Sequence, residues 1–189
     1  MQALPDIVTH NYHPDRGIGG NICNLPRDEA EQILDRLRAM GRSLRPDYLD
    51  KRLRVEDWLI AAKAEKLGST PLTRPIYFFL GDFADGKDAS RPASLVMPLA
   101  AFPPGVLTFT TADSMTSYLR GVVAKDPHAA LHHGQVFTRT EIEAVAATGL
   151  LGDTQKPSFI EMQVWDDRPI RAWLAARCGA ALPSAGRLL

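Results

Sequence analysis

The chain has 189 residues, of which 45% are hydrophobic, and its 22 Lys and Arg balance its 22 Asp and Glu. This length fits one domain of ordinary size, and the apolar fraction is enough for a folded core. The charges balance in each half as well, 14 against 14 up to residue 95 and 8 against 8 beyond it. The balance excludes a basic arm that drives non-specific nucleic-acid binding, and it excludes an acidic tail.

The sequence predicts no targeting segment. Residues 1–13 contain no charged head followed by an apolar run, and no stretch approaches the roughly 18 consecutive apolar residues of a membrane span. Cys23 and Cys178 are far apart in sequence and do not have metal-binding spacing. We therefore expect a cytoplasmic protein with two free thiols and no membrane contact.

The N-terminal third predicts one strand and two helices. A short strand is expected at 6–10, and a turn rich in glycine follows it. The first helix is expected to begin after Pro26 and to end before Gly41, with two acidic residues in the first turn, where the helix dipole favours them. The second helix is expected over 46–67, just before another glycine.

The helical pair carries a local excess of positive charge. Between Arg36 and Arg54 there are seven Lys or Arg and two Asp, a net charge of +5. One interpretation is a solvated helical hairpin. The other is an anion-binding surface, because the arginine side chain matches the geometry of phosphate, with Arg45 and Arg52 as candidates for contact with a substrate.

The rest of the chain predicts four strands and two helices. Turn-rich segments separate the β-rich runs, and Thr138 and Glu141 have the spacing of a capping box. Strands are expected at 75–82, 93–99, 106–111 and 158–165, and helices at 138–149 and 169–177. This order predicts an α+β fold in a single domain over 1–178, with a mixed or split β-sheet, an N-terminal helical pair and a C-terminal helix. Residues 179–189 are expected to form a flexible tail.

Glu161 is the most informative single residue. Strand alternation places it on the same face as Phe159, Gln163 and Trp165, opposite three aliphatic side chains. A carboxylate among aromatic side chains on a half-buried strand needs a partner or a function, because a buried charge is costly. One interpretation is an edge strand on which Glu161 faces water or pairs with an arginine. The other is a carboxylate held rigidly in a cleft, with its pKa tuned by the aromatic rings.

Histidines supply a second set of candidates. His10, His13 and Asp15 form an H-x-x-H-x-D run, to which His132 and His133 would add further metal ligands, although the spacing matches no well-defined site. Alternatively, His10 alone donates or accepts a hydrogen bond beside a ligand, or it is a satisfied or surface histidine. The histidine pair precedes a glycine and is expected to form a turn, with His133 as a secondary site residue.

Aromatic side chains mark a third candidate region. In the strand predicted at 75–82, Tyr77 and Phe79 face one side and Phe78 the other, so one side can pack in the core while the other stacks on a ring. Established nucleotide and nucleophile motifs are missing. The glycines at 17–20 lack the dinucleotide spacing, there is no Walker lysine motif, and Ser114 lies in no nucleophile elbow.

The order of these pieces resembles the ADP-ribosyltransferase superfamily and, more narrowly, the bacterial toxins that ADP-ribosylate DNA. The segments that carry the resemblance are IVTH at 7–10, NLP at 24–26 with Ile33 and Leu34, PIYFFL at 75–80, LTFTTADSM at 107–115 and FIEMQVW at 159–165. They are short windows scattered along the chain. The chain also resembles an uncharacterised bacterial family of similar length.

The resemblance implies a split mixed sheet with an NAD-binding cleft and NAD as the co-substrate. It implies that His10 hydrogen-bonds the nicotinamide ribose and that Tyr77 stacks on the nicotinamide. Glu161 would hold a ribose hydroxyl and stabilise the oxocarbenium-like centre as nicotinamide leaves. On this hypothesis the residues that contact NAD are His10, Tyr12, Tyr77, Phe79 and Ser114. The residues that contact the acceptor are Arg45, Arg52, His133 and Gln163, and no metal takes part.

The expected function is therefore NAD-dependent ADP-ribosyl transfer, or NAD glycohydrolysis, with a protein or nucleic-acid acceptor that the sequence does not identify. An alternative is a non-catalytic binding or regulatory module that uses the basic helical hairpin 36–54 as its interface. A third hypothesis is a metal-assisted hydrolase built on the histidine run. Convergence of His10, Tyr77 and Glu161 on one cleft distinguishes the first hypothesis from the other two.

Overall fold

The computed structural model describes residues 3–84, 90–128, 132–149 and 160–178. The strands are β1 Ile7–Tyr12, β2 Ile76–Leu80, β3 Ala93–Pro98, β4 Leu107–Thr111 and β5 Ile160–Val164. The helices are α1 Arg27–Ala39, α2 Tyr48–Leu67, α3 Ser114–Ser117, α4 Arg139–Ala147 and α5 Arg168–Cys178. Short 3₁₀ turns lie at Pro14–Arg16, Ile22–Asn24, Leu99–Ala101 and Pro104–Val106, and a π-helical turn lies at Tyr118–Val123.

The five strands form one sheet in the order β3-β1-β2-β5-β4. All pairings between these strands are antiparallel, so the predicted α+β single domain is confirmed, with one antiparallel sheet where a mixed or split sheet was expected. The order along the sheet depends on contacts between distant segments, which a local pattern does not contain. As a result β5 lies between β2 and β4 in the interior of the sheet.

The two faces of the sheet have different chemistry. Because side chains alternate along a strand, the cross-strand pairs of one face are apolar and those of the other are polar. The apolar face carries Val8, Phe78, Leu80, Leu107, Phe109, Ile160, Met162 and Val164. The polar face carries Thr9, Tyr77, Phe79, Thr108, Thr110, Glu161 and Gln163.

Helices α4 and α5 cover the apolar face. Ile142, Ala146 and Ile170 are buried in the same cluster as Phe78 and Met162. The predicted capping box starts α4, since the Thr138 side chain accepts from the Glu141 backbone N–H and the Glu141 side chain accepts from the Thr138 N–H. Burial of these apolar side chains is the main contribution to the stability of the fold.

Helix α2 covers the polar face. Its Val55 and Leu59 are buried against Trp165, which directly follows β5. Helix α1 packs on α2 through Ala30, Leu34 and Leu49. The predicted helical pair is therefore confirmed, with α2 starting at Tyr48 and ending before Gly68, whose positive φ permits the turn.

The sequence interpretation missed the helical segment at 114–123. Asp113 accepts from the backbone N–H of Thr116 at 2.9 Å and so starts α3, which the π-helical turn continues. A Cβ on Gly121 would lie 2.3 Å from the backbone nitrogen of Gly134, so this turn packs directly on the turn that contains the histidine pair. That predicted turn is confirmed, and Gly134 has a φ of +78°.

Several expectations concern residues outside those described. The predicted tail at 179–189 and the position of Phe159 belong to this group. The strand predicted over 158–165 is observed as Ile160–Val164. Within the described ranges, every helix is too short or too polar to span a bilayer.

Candidate functional site

A buried network of polar side chains lies between α2, α3 and the polar face of the sheet. We call it the polar cluster, and it consists of Asn21, Arg52, Glu56, Tyr77, Ser114, Glu161 and Gln163. Strand alternation points the β2 and β5 members to this face, and the i,i+4 spacing on α2 points Arg52 and Glu56 to it as well. Such a group of buried polar side chains needs internal partners to be tolerated.

Glu161 is held rigidly in this cluster. Its Oε1 accepts from the Ser114 backbone N–H at 3.2 Å and from Gln163 Nε2 at 3.1 Å, and the residue is only 5% exposed. Burial raises the pKa of Glu161, and the nearby Arg52 charge opposes that rise. The interpretation of Glu161 on an edge strand facing water is wrong, because β5 is an interior strand.

Gln163 is oriented by a chain of hydrogen bonds that starts at an indole. Trp165 Nε1 donates to Thr108 Oγ1 at 2.9 Å, and Thr108 donates to Gln163 Oε1 at 3.0 Å. Gln163 Nε2 then donates to Thr110 Oγ1 and to Glu161 Oε1, each at 3.1 Å. Because both ends of the amide are engaged, Gln163 positions the Glu161 carboxylate, and the geometry gives no support to its predicted contact with an acceptor.

Arg52 is the cation of the cluster. Its Nη2 lies 3.2 Å from Glu56 Oε1, its Nη1 donates to Ser114 Oγ at 3.1 Å, and its Cζ stands 4.3 Å from the centroid of the Tyr77 ring. An arginine over an aromatic face gains a cation–π attraction in addition to the ion pair. Arg52, predicted to contact a substrate, therefore occupies the position next to both Tyr77 and the buried acids.

Glu56 was not among the residues predicted from the sequence. Its Oε1 accepts from Arg52, from Asn21 Nδ2 at 3.1 Å and from the Tyr77 hydroxyl, whereas its Oε2 is buried without a hydrogen-bond partner. Burial raises the pKa of Tyr77 well above its ordinary value, so this hydroxyl stays protonated and donates. The available signal was spacing, because Glu56 lies seven residues after Leu49 and three before Leu59, on the buried side of α2.

The cluster contains more negative than positive charge. Two carboxylates, Glu56 and Glu161, face one guanidinium, that of Arg52. Arg74 lies near Cys23 and, among the described residues, makes no ion pair with either carboxylate. Two buried acids beside one guanidinium leave acceptor capacity for a further cation.

Cys23 lies beside the polar cluster as an unreactive thiol. Its backbone N–H donates to Asn21 Oδ1 at 3.0 Å, and its buried thiol lies beside Arg52 and forms no disulfide bond. Burial and the charge of Glu56 raise the pKa of Cys23 to about 11. The thiol is therefore protonated at neutral pH and is a poor nucleophile.

His10 does not join Tyr77 and Glu161, and the expected convergence of these three residues is wrong. Val8 pairs with Leu80, so the pleat places His10 on the apolar face, with its ring 5.2 Å from that of Phe78. The Gly19 N–H donates to His10 Nε2 at 3.1 Å, which leaves the proton on Nδ1 to be donated to the Tyr77 carbonyl at 2.6 Å.

Both ring nitrogens of His10 are therefore engaged within the protein. Burial lowers the pKa of His10 to about 4, so the ring is neutral at physiological pH. Neither nitrogen is available for a ribose hydroxyl or a metal ion unless one of these bonds breaks. His10 instead fixes the backbone of β2 at the residue that carries the Tyr77 ring.

The other predicted contact residues are distributed over the molecule. Ser114 belongs to the polar cluster, and Phe79 lies on the same face in register with Glu161. Tyr12 stacks on His10 on the opposite face, with the ring centroids 5.8 Å apart. Arg45 and His133 lie outside the cluster, the first exposed before α2 and the second half-buried in its turn.

The predicted metal site is not assembled in the structure. Within the described ranges, no three His, Cys, Asp or Glu side chains gather in a way that would hold a metal ion. His13 Nδ1 lies 3.7 Å from Asp15 on the protein surface, and His10 is committed to Gly19 and Tyr77. The histidine run is therefore divided between β1, where His10 is buried, and a surface 3₁₀ turn, where His13 contacts Asp15.

The basic helical hairpin uses much of its charge in local contacts. Arg38 donates to Asp35 and to the carbonyl groups of Leu44 and Arg45, and Lys51 pairs with Asp47 at 2.8 Å. In addition, Arg52 is directed into the polar cluster. These contacts favour a solvated hairpin that is closed by its own hydrogen bonds. They give less support to a continuous anion-binding surface.

All the contacts described for the polar cluster are made within this chain. Comparison with models of protein families, with curated proteins and with solved structures finds no match to the chain.

Proposed function

We propose that the polar cluster is a catalytic site that cleaves the bond between nicotinamide and ribose in NAD, with Glu161 as the essential carboxylate. ADP-ribose then passes to an acceptor or to water. The observation that carries the proposal is a carboxylate fixed on an interior strand, next to an aromatic ring and within an excess of buried negative charge. The sequence resemblance to ADP-ribosyltransferases supports NAD as the substrate through Tyr77 and Glu161, which share the polar face. His10 lies on the other face, so the proposal gives it no contact with NAD.

The physical argument concerns the charge that develops during the reaction. When the C1′–N bond breaks, its electron pair leaves with nicotinamide, and positive charge accumulates on the ribose ring. A preorganised carboxylate in a site of low dielectric constant stabilises such a centre more than water does. The acceptor oxygen or nitrogen then bonds to C1′ and releases its proton.

The proposal assigns roles to the residues that position the carboxylate and the nicotinamide ring. Ser114 and Gln163 hold Glu161 in place through their hydrogen bonds, and the Tyr77 ring supplies a flat surface for nicotinamide. His10 acts on Tyr77 through the backbone and is a positioning residue. Arg45 and His133 lie outside the cluster, and their contact with an acceptor stays a prediction.

The test incubates the wild-type protein and Glu161→Gln with NAD and measures the release of nicotinamide by chromatography. Glutamine at this position can accept the same two hydrogen bonds, so the fold is kept while the charge is lost. We expect turnover to fall by at least about 100-fold, as on removal of one electrostatic group from a preorganised site. The matched control is Glu65→Gln, an exposed acid on α2 that should leave turnover unchanged.

Equal turnover in the wild type and Glu161→Gln, or no turnover in either, contradicts the proposal. In that case the second candidate is the non-catalytic binding module. One observation favours it: Glu56, Ser114 and Gln163 are fully buried, so the cluster is closed in this conformation. The network would then serve to fix α2 and α3 on the sheet.

A further inference from the structure

The guanidinium of Arg52 lies over the Tyr77 ring and beside Glu56 in the polar cluster. Its side chain is 12% exposed, whereas that of Glu56 is fully buried. It covers one face of the Tyr77 ring and contacts Glu56 and Ser114 with two different nitrogens. A group that enters the cluster over the face of Tyr77 on which Arg52 lies has to take the place of this guanidinium.

Glu56 shows that Arg52 does not satisfy this site completely. All three hydrogen bonds to Glu56 reach Oε1, and Oε2 is buried without a partner. A buried carboxylate oxygen without a donor is costly, and native structures retain such groups where a ligand or ordered water supplies the missing bond. The site therefore has one acceptor, Glu56 Oε2, that Arg52 does not use and that another cation could bond to.

We propose that the Arg52 guanidinium is the resident occupant of a binding site for a planar organic cation, and that the cationic ring of a ligand replaces it between Tyr77 and Glu56. The inference deepens the proposed function and rests on it, because the nicotinamide ring of NAD is a planar cation. It also names a step that the proposed function does not contain, the outward movement of the Arg52 side chain.

Three features of the site match this ligand class. The Tyr77 ring attracts a cation over its face, as it already attracts Arg52 at 4.3 Å. The free Glu56 Oε2 accepts from a donor carried by the ring, such as a carboxamide N–H. Glu161, on the neighbouring strand, adds negative charge next to the same position.

The same geometry predicts weak binding by the wild-type protein. A ligand binds only in the fraction of molecules in which Arg52 has moved out, and the apparent affinity falls by that fraction. Removal of the Arg52 side chain therefore strengthens binding of a planar cation. A purely structural role of Arg52 predicts no such gain.

The experiment compares thermal unfolding of the wild type, Arg52→Ala and the matched control Arg54→Ala, an exposed arginine of the same helix. The probes are 1-methylnicotinamide, which is a planar cation, and nicotinamide, which has the same ring without the charge. At about ten times its dissociation constant, the cation should raise the Tm of Arg52→Ala by about 4 °C. At the same concentration, the wild type and Arg54→Ala should shift by less than a quarter of that, and nicotinamide should have little effect on any of them.

The proposal is overturned if 1-methylnicotinamide and nicotinamide stabilise Arg52→Ala equally, or if neither does. If Arg52→Ala does not fold, the wild type decides the matter through modification of Arg52 by phenylglyoxal, mapped by peptide mass spectrometry. Excess 1-methylnicotinamide should then accelerate modification of Arg52 and leave that of Arg54 unchanged, and an unchanged or slower rate at Arg52 overturns the proposal. Neither readout requires turnover of NAD, so failure of the proposed activity and failure of this inference are distinguishable.

Discussion

The two faces of the sheet both have fully buried residues at their centres, but these residues are stabilised in different ways. Phe78 and Met162 on the apolar face and Thr110 and Gln163 on the polar face have no exposed surface. The first pair is stabilised by close contact with aliphatic and aromatic neighbours, the second by hydrogen bonds that use almost every donor and acceptor. Equal burial therefore does not mean an equal contribution to the free energy of unfolding.

This difference indicates where the fold gains stability and where it retains groups for another purpose. A buried hydrogen bond contributes only about 1 kcal/mol net, because the unfolded chain forms the same bond with water. A well-packed apolar replacement of a buried charged pair is often neutral or stabilising. The polar face is consequently the part of the molecule for which stability is the weaker explanation and chemistry the stronger one.

The largest effect should come from the apolar face. Phe78→Ala removes a fully buried ring that contacts the rings of His10 and Phe102, and we expect a loss of about 4 kcal/mol in the free energy of unfolding. Urea denaturation measures it. Val96→Ala, at a partly exposed position on β3, is the control and should cost less than about 1 kcal/mol. Similar losses in both variants would show that the apolar face does not dominate stability.

The second prediction uses pH and the histidine of the apolar face. Burial lowers the pKa of His10 from 6.5 to about 4, so between these values the unfolded chain binds a proton that the folded protein does not. Stability contributed by neutral His10 is present above pH 6.5 and is lost as the pH falls towards 4, by up to about 3 kcal/mol.

Urea denaturation at several pH values, compared with His10→Gln, isolates this contribution. Among the neighbours of His10, the charge of Arg91 lowers its pKa further, and Tyr12 stacks on its ring. The difference in unfolding free energy between the wild type and the variant should shrink as the pH falls from 6.5 to 4. A difference that is constant with pH contradicts the assignment of a neutral, buried His10.

The third prediction breaks the network on the polar face. Gln163→Leu removes the acceptor of Thr108 and a donor to both Thr110 and Glu161, so we expect a loss of about 2 kcal/mol. Met162→Leu, the neighbouring position on the apolar face, conserves volume and should cost less than about 1.5 kcal/mol. Urea denaturation of the two variants compares the faces directly, and the reverse order of losses would contradict a satisfied network around Gln163.

The smallest effect on stability should come from Glu161→Gln, the substitution with the largest expected effect on activity. Burial raises the pKa of Glu161 above that of a glutamate in the unfolded chain. At any pH above the unfolded-state pKa, the ionised side chain therefore costs folding free energy, and a neutral glutamine removes that cost. Glutamine also loses the attraction of Arg52, and we expect the net change to lie within about 1 kcal/mol. A loss above about 2 kcal/mol in urea denaturation would identify Glu161 as a structural ion-pair partner.

The local parts of this architecture could be predicted from the sequence. Alternation in β5 separates Met162 from Glu161 and Gln163, and the same rule separates Phe78 from Tyr77. The capping box at Thr138 and the glycine after α2 set helix ends within a few residues. Each of these features depends on neighbours in sequence, which is why pattern and propensity sufficed.

The remaining features depend on contacts between distant segments. Alternation relates His10 to Val8, but the face it shares with Phe78 follows from the register between β1 and β2, set by residues about 70 positions apart. Glu56 meets Tyr77 because α2 crosses the sheet at one particular place. No pattern along the chain specifies either meeting, so the position of His10 was predicted wrongly and Glu56 was missed.

The hydrogen-bond chain from Trp165 through Thr108 and Gln163 to Glu161 gives the protein a built-in optical probe. Indole emission responds to the strength of the bond at Nε1 and to nearby charge. A proton gained or lost by the buried carboxylate therefore alters the light that the protein emits. Trp58 and Trp173 emit as well, so the difference in emission between the wild type and Glu161→Gln, which has no proton to exchange at this position, reports the ionisation of a single buried acid in the native protein.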